Sequence, residues 1–116
     1  MHEASLAQAL LRQVEDLAQQ HHGRRVTEVR VTVGEFSGVE PELLASAFER
    51  ATPGSVAQGA RLVMARASLR AKCSRCDHEF HVERFRFACP LCGAAETKVI
   101  DGEQLMLDRV FMETDA

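Results

Sequence analysis

Through residues 3–20 the apolar side chains Leu6, Leu10, Val14 and Leu17 recur at steps of four, four and three, with Arg12, Gln13, Glu15 and Asp16 mostly opposite them. That spacing keeps one face apolar through about five turns and predicts an amphipathic helix. The helix is expected to end at His21-His22-Gly23, with Gly23 taking the left-handed position that closes many helices. The period then changes. In VTEVRVTV, residues 26–33, Val29, Val31 and Val33 alternate with Glu28, Arg30 and Thr32, the pattern of a half-buried strand. Two glycines, a serine and a proline in GEFSGVEPE make residues 34–42 a loop. Pro41 suits the first turn of a second helix, with Glu40 or Ser37 as its cap. Leu43, Leu44, Ala47, Phe48 and Ala51 form its apolar face until Thr52-Pro53-Gly54 stops it. Two more strands are expected at residues 61–69 and 103–112, and the pattern leaves their order and pairing open.

A segment of different character, residues 70–101, separates those last two strands. The order helix, strand, helix, strand, insertion, strand predicts an α+β fold: two helices on a small, about three-stranded β-sheet, with a zinc-ribbon-like module inserted. One domain then comprises residues 1–69 plus 102–116 and the other residues 70–101. At 116 residues and 46% hydrophobic content the chain suits one compact unit with a small insertion. The 14 basic and 17 acidic residues are mixed rather than blocked, so net charge offers no general attraction to nucleic acid. No apolar run approaches bilayer-spanning length and no basic stretch precedes an apolar one at the N-terminus, which gives the cytoplasm as the expected location.

All four cysteines fall in the insertion as two C-x2-C pairs, Cys73/Cys76 and Cys89/Cys92, twelve residues apart. In a reducing compartment such clustered thiols point to metal before disulfides. Two intervening residues let both thiolates of a pair reach one ion while turn amides face the sulfurs. Four thiolates in a tetrahedral array suit Zn(II), and a closed site of that kind is structural. A redox pair, an iron site and a nucleic-acid ribbon are the alternatives. Six basic residues against four acidic ones in residues 70–100 make a poor case for the last. The intervening EFHVERFRF alternates enough to form a hairpin, on which His78 and His81 are either exposed or close enough to join the site.

The N-terminus reads MHE. The Met1 amine, the His2 imidazole and the amide nitrogens of His2 and Glu3 offer nitrogen donors in fused chelate rings. That donor set selects Ni(II) or Cu(II) over Zn(II), and it weakens as pH falls through the ordinary histidine value of about 6.5.

MHE, the helix that follows, GEFSGVEPELL after the first strand, SAFE, and C-x2-C-x12-CPxCG occur here in an order that resembles the HypA/HybF family of [NiFe]-hydrogenase maturation proteins, over essentially the whole chain. The resemblance implies a nickel metallochaperone and not an enzyme. It implies that His2 binds nickel, that Glu3 joins through its backbone or side chain, and that Glu40 stands near the metal. It makes Cys73, Cys76, Cys89 and Cys92 the ligands of a structural Zn(II), with Ni(II) as transferred cargo. The implied partners are a HypB-type GTPase and the hydrogenase large-subunit precursor, with self-association left open and neither nucleic acid nor membrane involved. The rival readings are a zinc-ribbon adaptor that uses no nickel and a small enzyme, and the absence of a phosphate loop or a Ser-His-Asp pattern speaks against the second. Of the remaining residues, Met64, Met106 and Met112 are expected as core filler and Glu35 as a loop carboxylate.

Overall fold

The computed structural model describes residues 2–114. Met1 and residues 115–116, expected in the nickel-binding domain, lie outside the described residues. The elements run α1 (His2–Gln20), β1 (Gly23–Gly34), α2 (Pro41–Ala51), β2 (Arg61–Ala67), β3 (Arg70–Cys73), β4 (Glu79–His81), β5 (Thr97–Asp101) and β6 (Leu105–Thr114). They form an α+β structure with two three-stranded sheets, ordered β2-β1-β6 and β4-β3-β5.

In the first sheet β1 is central. It pairs parallel with β2, from Glu28 opposite Arg61 to Gly34 opposite Ala67, and antiparallel with β6. Parallel neighbours need a crossover, and α2 supplies it. Buried Val26, Val29, Val31 and Val33 from β1 meet Ala7, Leu10, Val14 and Ala18 from α1 and Leu44, Ala47 and Phe48 from α2. The odd spacing between Val26 and Val29 would point them to opposite faces of a regular strand. A register shift between Val26 and Glu28 adds one residue and returns both to the core.

The buried stripe of α1 is rotated from the expected one. Ala7 and Ala18 join Leu10 and Val14, while Leu6 and Leu17 sit at its margin. Alanines at the centre let the helix approach the sheet closely, which a count of large apolar residues overlooks. The helix does stop at residue 20, but the left-handed residue is His22, with φ 55°, rather than Gly23. Gly23 begins β1, and a Cβ there would lie 2.6 Å from the Met112 Sδ and 3.2 Å from Ala18. Met64 and Met112 pack against the core as expected, whereas Met106 is half exposed on the outer face of β6.

A second apolar cluster, Leu69, Ala71, Cys73, Phe80, Val82, Cys89 and Ala94, fills the insertion. Here the expected hairpin within the twelve-residue gap does not form. Only Glu79–His81 is extended, and it pairs back onto β3 across the first cysteine knuckle. Beyond it the chain turns through Arg84 and Phe85, both with positive φ, which ends the alternation that the sequence displays.

Candidate metal centres

The two cysteine knuckles have the same backbone. The Cys73 N–H donates to the His78 carbonyl at 2.9 Å, and the Asp77 N–H donates back to the Cys73 carbonyl at 3.0 Å. Sixteen residues on, the Cys89 N–H donates to the Ala94 carbonyl and the Gly93 N–H to the Cys89 carbonyl, each at 2.9 Å. The fourth residue after each leading cysteine is left-handed: Gly93 at φ 74° and Asp77 at φ 64°. The sequence advertises the glycine. Asp77 is legible only by its equivalent position, because aspartate is among the few side chains that tolerate this conformation.

This folding brings all four Sγ atoms within 4.8 Å of one another. Cys73 and Cys92 are 3.5 Å apart and Cys76 and Cys89 3.6 Å apart. A tetrahedron with Zn–S bonds of about 2.3 Å requires S···S separations of about 3.8 Å, so the donor set and its spacing both fit Zn(II). Cys73 and Cys89 are buried, while Cys76 and Cys92 face solvent.

In the metal-free tetrad the charge is uneven. The Cys76 and Arg75 amides, acting against burial, bring the Cys73 thiol below its ordinary value. Burial opposes ionisation of Cys89, but the Cys92 and Leu91 amides and the neighbouring thiols prevail and bring it down to about 7. The His78 amide favours a Cys76 thiolate, yet loss of water around its sulfur, which packs against the other three although the residue is exposed, and the adjacent thiols push it up to about 12. Cys92 is likewise raised: the Ala94 amide favours its thiolate, and contact with the Cys73 sulfur together with loss of water on that side outweighs it. Four thiolates this close repel, so without a cation each close pair keeps a proton.

Neither histidine belongs to this cluster. His78 stacks on Phe80, with ring centroids 6.1 Å apart, and the His81 Nδ1 lies 3.0 Å from the Ser68 hydroxyl.

Outside the insertion, α1 starts at His2, so the amides of its first turn have no carbonyl one turn earlier to bond. Glu40, the cap residue of α2, comes to the same place: its N–H donates to Glu3 Oε2 at 3.2 Å. This Glu40 N–H, aided by the amide of Glu3 itself and by nearby His2, holds the Glu3 carboxyl below its usual range. Glu40 makes no side-chain cap bond, and its own carboxylate is exposed. The structure therefore unites Glu3 and Glu40 across 37 residues of sequence, with His2 adjoining. His2 also lines an open cavity of about 370 Å³ between α1, Ser37 and Val39, and the start of β6, where Glu103 and Leu105 form the facing wall.

The insertion carrying the cysteines joins the rest of the fold at a closely packed junction. A Cβ on Gly102, at φ 96°, would lie 2.6 Å from both the Leu69 Cα and the Ser68 carbonyl oxygen. One on Gly34 would come equally close to Gly102. The Gly102 carbonyl accepts the Phe36 N–H at 2.7 Å, and Glu35, rather than being an idle loop carboxylate, accepts the Leu69 N–H at 3.3 Å. Phe36 then meets Phe85 of the insertion edge-on, with centroids 5.3 Å apart. Phe85 reaches this position through the left-handed turn that interrupts the alternation.

The whole chain has relatives. A family model described as "Hydrogenase/urease nickel incorporation, metallochaperone, hypA" matches residues 1–112. The hydrogenase maturation factor HypA of Aquifex aeolicus is 40% identical over 99% of this chain and 100% of its own. A solution structure of a HypA protein superposes with TM-score 0.80 at 26% identity, covering 99% of this chain and 98% of that one. The fold is also that of the solution structure of the nickel metallochaperone HypA from Helicobacter pylori, with TM-score 0.73 at 23% identity over 97% and 98% of the two chains. The chain belongs to the HypA family of nickel-incorporation metallochaperones.

Proposed function

We propose that this chain takes up Ni(II) at its N-terminus and delivers it to the precursor of a [NiFe]-hydrogenase large subunit, working with a HypB-type GTPase in the cytoplasm. His2 is the principal ligand. Glu3 contributes through its backbone and fixes the local geometry, and Glu40 supplies a second carboxylate beside the metal. Ni(II) is cargo rather than a resident cofactor, and no bond of a substrate is made or broken by the protein. Cys73, Cys76, Cys89 and Cys92 hold a structural Zn(II) that ties the two knuckles together and leaves no coordination position open for catalysis.

The supporting observation is the hydrogen bond from the Glu40 amide to Glu3. It joins the starts of both helices at an exposed point of the surface. A site there can be attacked by an incoming ligand and surrendered stepwise, which a buried cage would resist. Residues 1–69 plus 102–116 then form the nickel-binding domain and residues 70–101 the zinc domain. The separate apolar clusters centred on Phe48 and on Phe80 support this division, except that Leu69, at the boundary, packs with the zinc domain.

Transfer is the test. Zinc-loaded protein charged with one equivalent of Ni(II) is mixed with apo large-subunit precursor and the GTPase, and nickel in the precursor is followed by mass spectrometry. The reading predicts that the wild-type chain loads the precursor and that His2→Ala does not. Equal loading by both would refute it.

A further inference from the structure

The cavity beside His2 contains a group that the nickel reading leaves unused. Its walls are the apolar side chains of Leu6, Leu10, Val39, Leu105 and Leu107, together with a few polar groups. Among those polar groups Glu103 alone is anionic. Its position is unusually constrained for a turn residue. Gly102 immediately before it is wedged against Ser68 and Leu69, and the carbonyl of Gln104 immediately after it accepts the Gly34 N–H at 2.9 Å. The backbone is thus pinned on one side to the link between β2 and β3 and on the other to the end of β1. The carboxylate itself is exposed and makes no hydrogen bond or ion pair among the described residues, although Glu3, Glu28, Glu35 and Glu79 all do.

An imidazole that binds a metal through one nitrogen presents the other as an N–H donor, and a carboxylate that accepts it fixes the ring's tautomer and orientation and makes it a better ligand. We infer that Glu103 is the positioning residue for the His2 imidazole, accepting its non-ligating N–H across the mouth of the cavity shared by α1 and the β5–β6 turn. This rests on the proposed nickel site at His2 and extends it. The anion comes from 101 positions further along the chain, so nickel affinity depends on the docking of the β5–β6 turn as well as on the N-terminus. Gln13 and Ser37 also line the cavity, but they are neutral, and the Ser37 oxygen already accepts the Val39 N–H.

The test uses the full-length, zinc-loaded protein as wild type, Glu103→Ala, Glu103→Gln and His2→Ala. Ni(II) binding is measured by calorimetry, and the His2 ring nitrogens of the nickel-loaded protein, diamagnetic when the metal is square-planar, are followed by 15N NMR. The inference predicts a loss of about 10- to 100-fold in affinity for Glu103→Ala. It predicts a smaller loss for Glu103→Gln, whose amide oxygen still accepts but carries no charge. The 15N shifts of His2 move in both variants, which a merely structural role for Glu103 would not produce, while zinc content and circular dichroism stay as in wild type. If His2→Ala abolishes binding but both Glu103 variants bind like wild type with unmoved His2 shifts, the positioning role is wrong and the nickel reading stands. If His2→Ala itself binds like wild type, the nickel reading falls and takes this inference with it.

Discussion

Substituting Gly102 with alanine should damage the protein far more than the same change at Gly54. Both glycines have positive φ, 96° and 81°, so a Cβ carries a backbone cost of about 1–2 kcal/mol in either. They differ in what the Cβ meets. At Gly54 there is nothing within 4 Å, while at Gly102 the nearest atoms are backbone, at 2.6, 2.6 and 2.8 Å. Ordinary contact begins near 3.4 Å, so the 68–69 backbone or the 102–104 turn must withdraw by most of an ångström. Forced overpacking of this kind costs about 1–3 kcal/mol more. Withdrawal also strains the 2.7 Å bond from the Phe36 N–H to the Gly102 carbonyl. Since each kcal/mol moves the melting temperature of a domain this size by about 4–8 °C, Gly102→Ala should melt about 5–20 °C below Gly54→Ala. Thermal denaturation by circular dichroism at fixed zinc loading measures the difference. Equal melting temperatures would refute the packing account of the junction.

Other expectations concern the tetrad and the aromatic contact. With Cys76 at about 12 and Cys92 also raised, both thiols are protonated in the metal-free chain at pH 8, so Zn(II) should displace at least these two protons there. Cys89, lowered to about 7, holds its thiolate above that pH and regains a proton below it, so the number released should rise, and zinc affinity fall more steeply, as pH drops through 7. Calorimetry in buffers of different ionisation enthalpy counts these protons, and a count independent of pH would contradict the charge distribution. The Phe36–Phe85 edge contact should give a coupling of about 0.5–1.5 kcal/mol in a double-mutant cycle with alanine, measured by urea denaturation. Strictly additive losses would show that the rings adjoin without stabilising the junction.

Where the sequence spoke clearly, one local rule governed the outcome. The two helices follow from 3.6-residue periodicity and from Pro41 at a first turn, and the central strand β1 from its alternation, while the pairing of the sheet did not. The metal tetrad followed from the C-x2-C spacing, which brings two thiols to one side of a turn whatever surrounds it. What stayed hidden was set by packing between distant segments. Ala7 and Ala18 occupy the buried stripe because small side chains permit close approach, a requirement imposed by the sheet and not by the helix. The RFRF alternation looked like a strand, but Arg84 and Phe85 turn left-handed where Phe85 reaches Phe36. Gly34 and Gly102 read as ordinary loop glycines, because their mutual contact exists only after β1 and the β5–β6 turn have come together. The approach of Glu40 to Glu3 is equally absent from the local pattern, and only the family resemblance implied that both stand at one place.

The claim that nickel is held at the chain's first residues is tested most directly by a Ni(II) titration, read by calorimetry and visible absorption, on untagged zinc-loaded protein, beside His2→Ala and a variant extended by one residue at the N-terminus. The extension keeps every side chain and moves only the terminal amine. The account predicts one equivalent bound by the native chain, with the absorption bands of square-planar Ni(II), and loss of those bands in both variants. Equal binding by all three would contradict it.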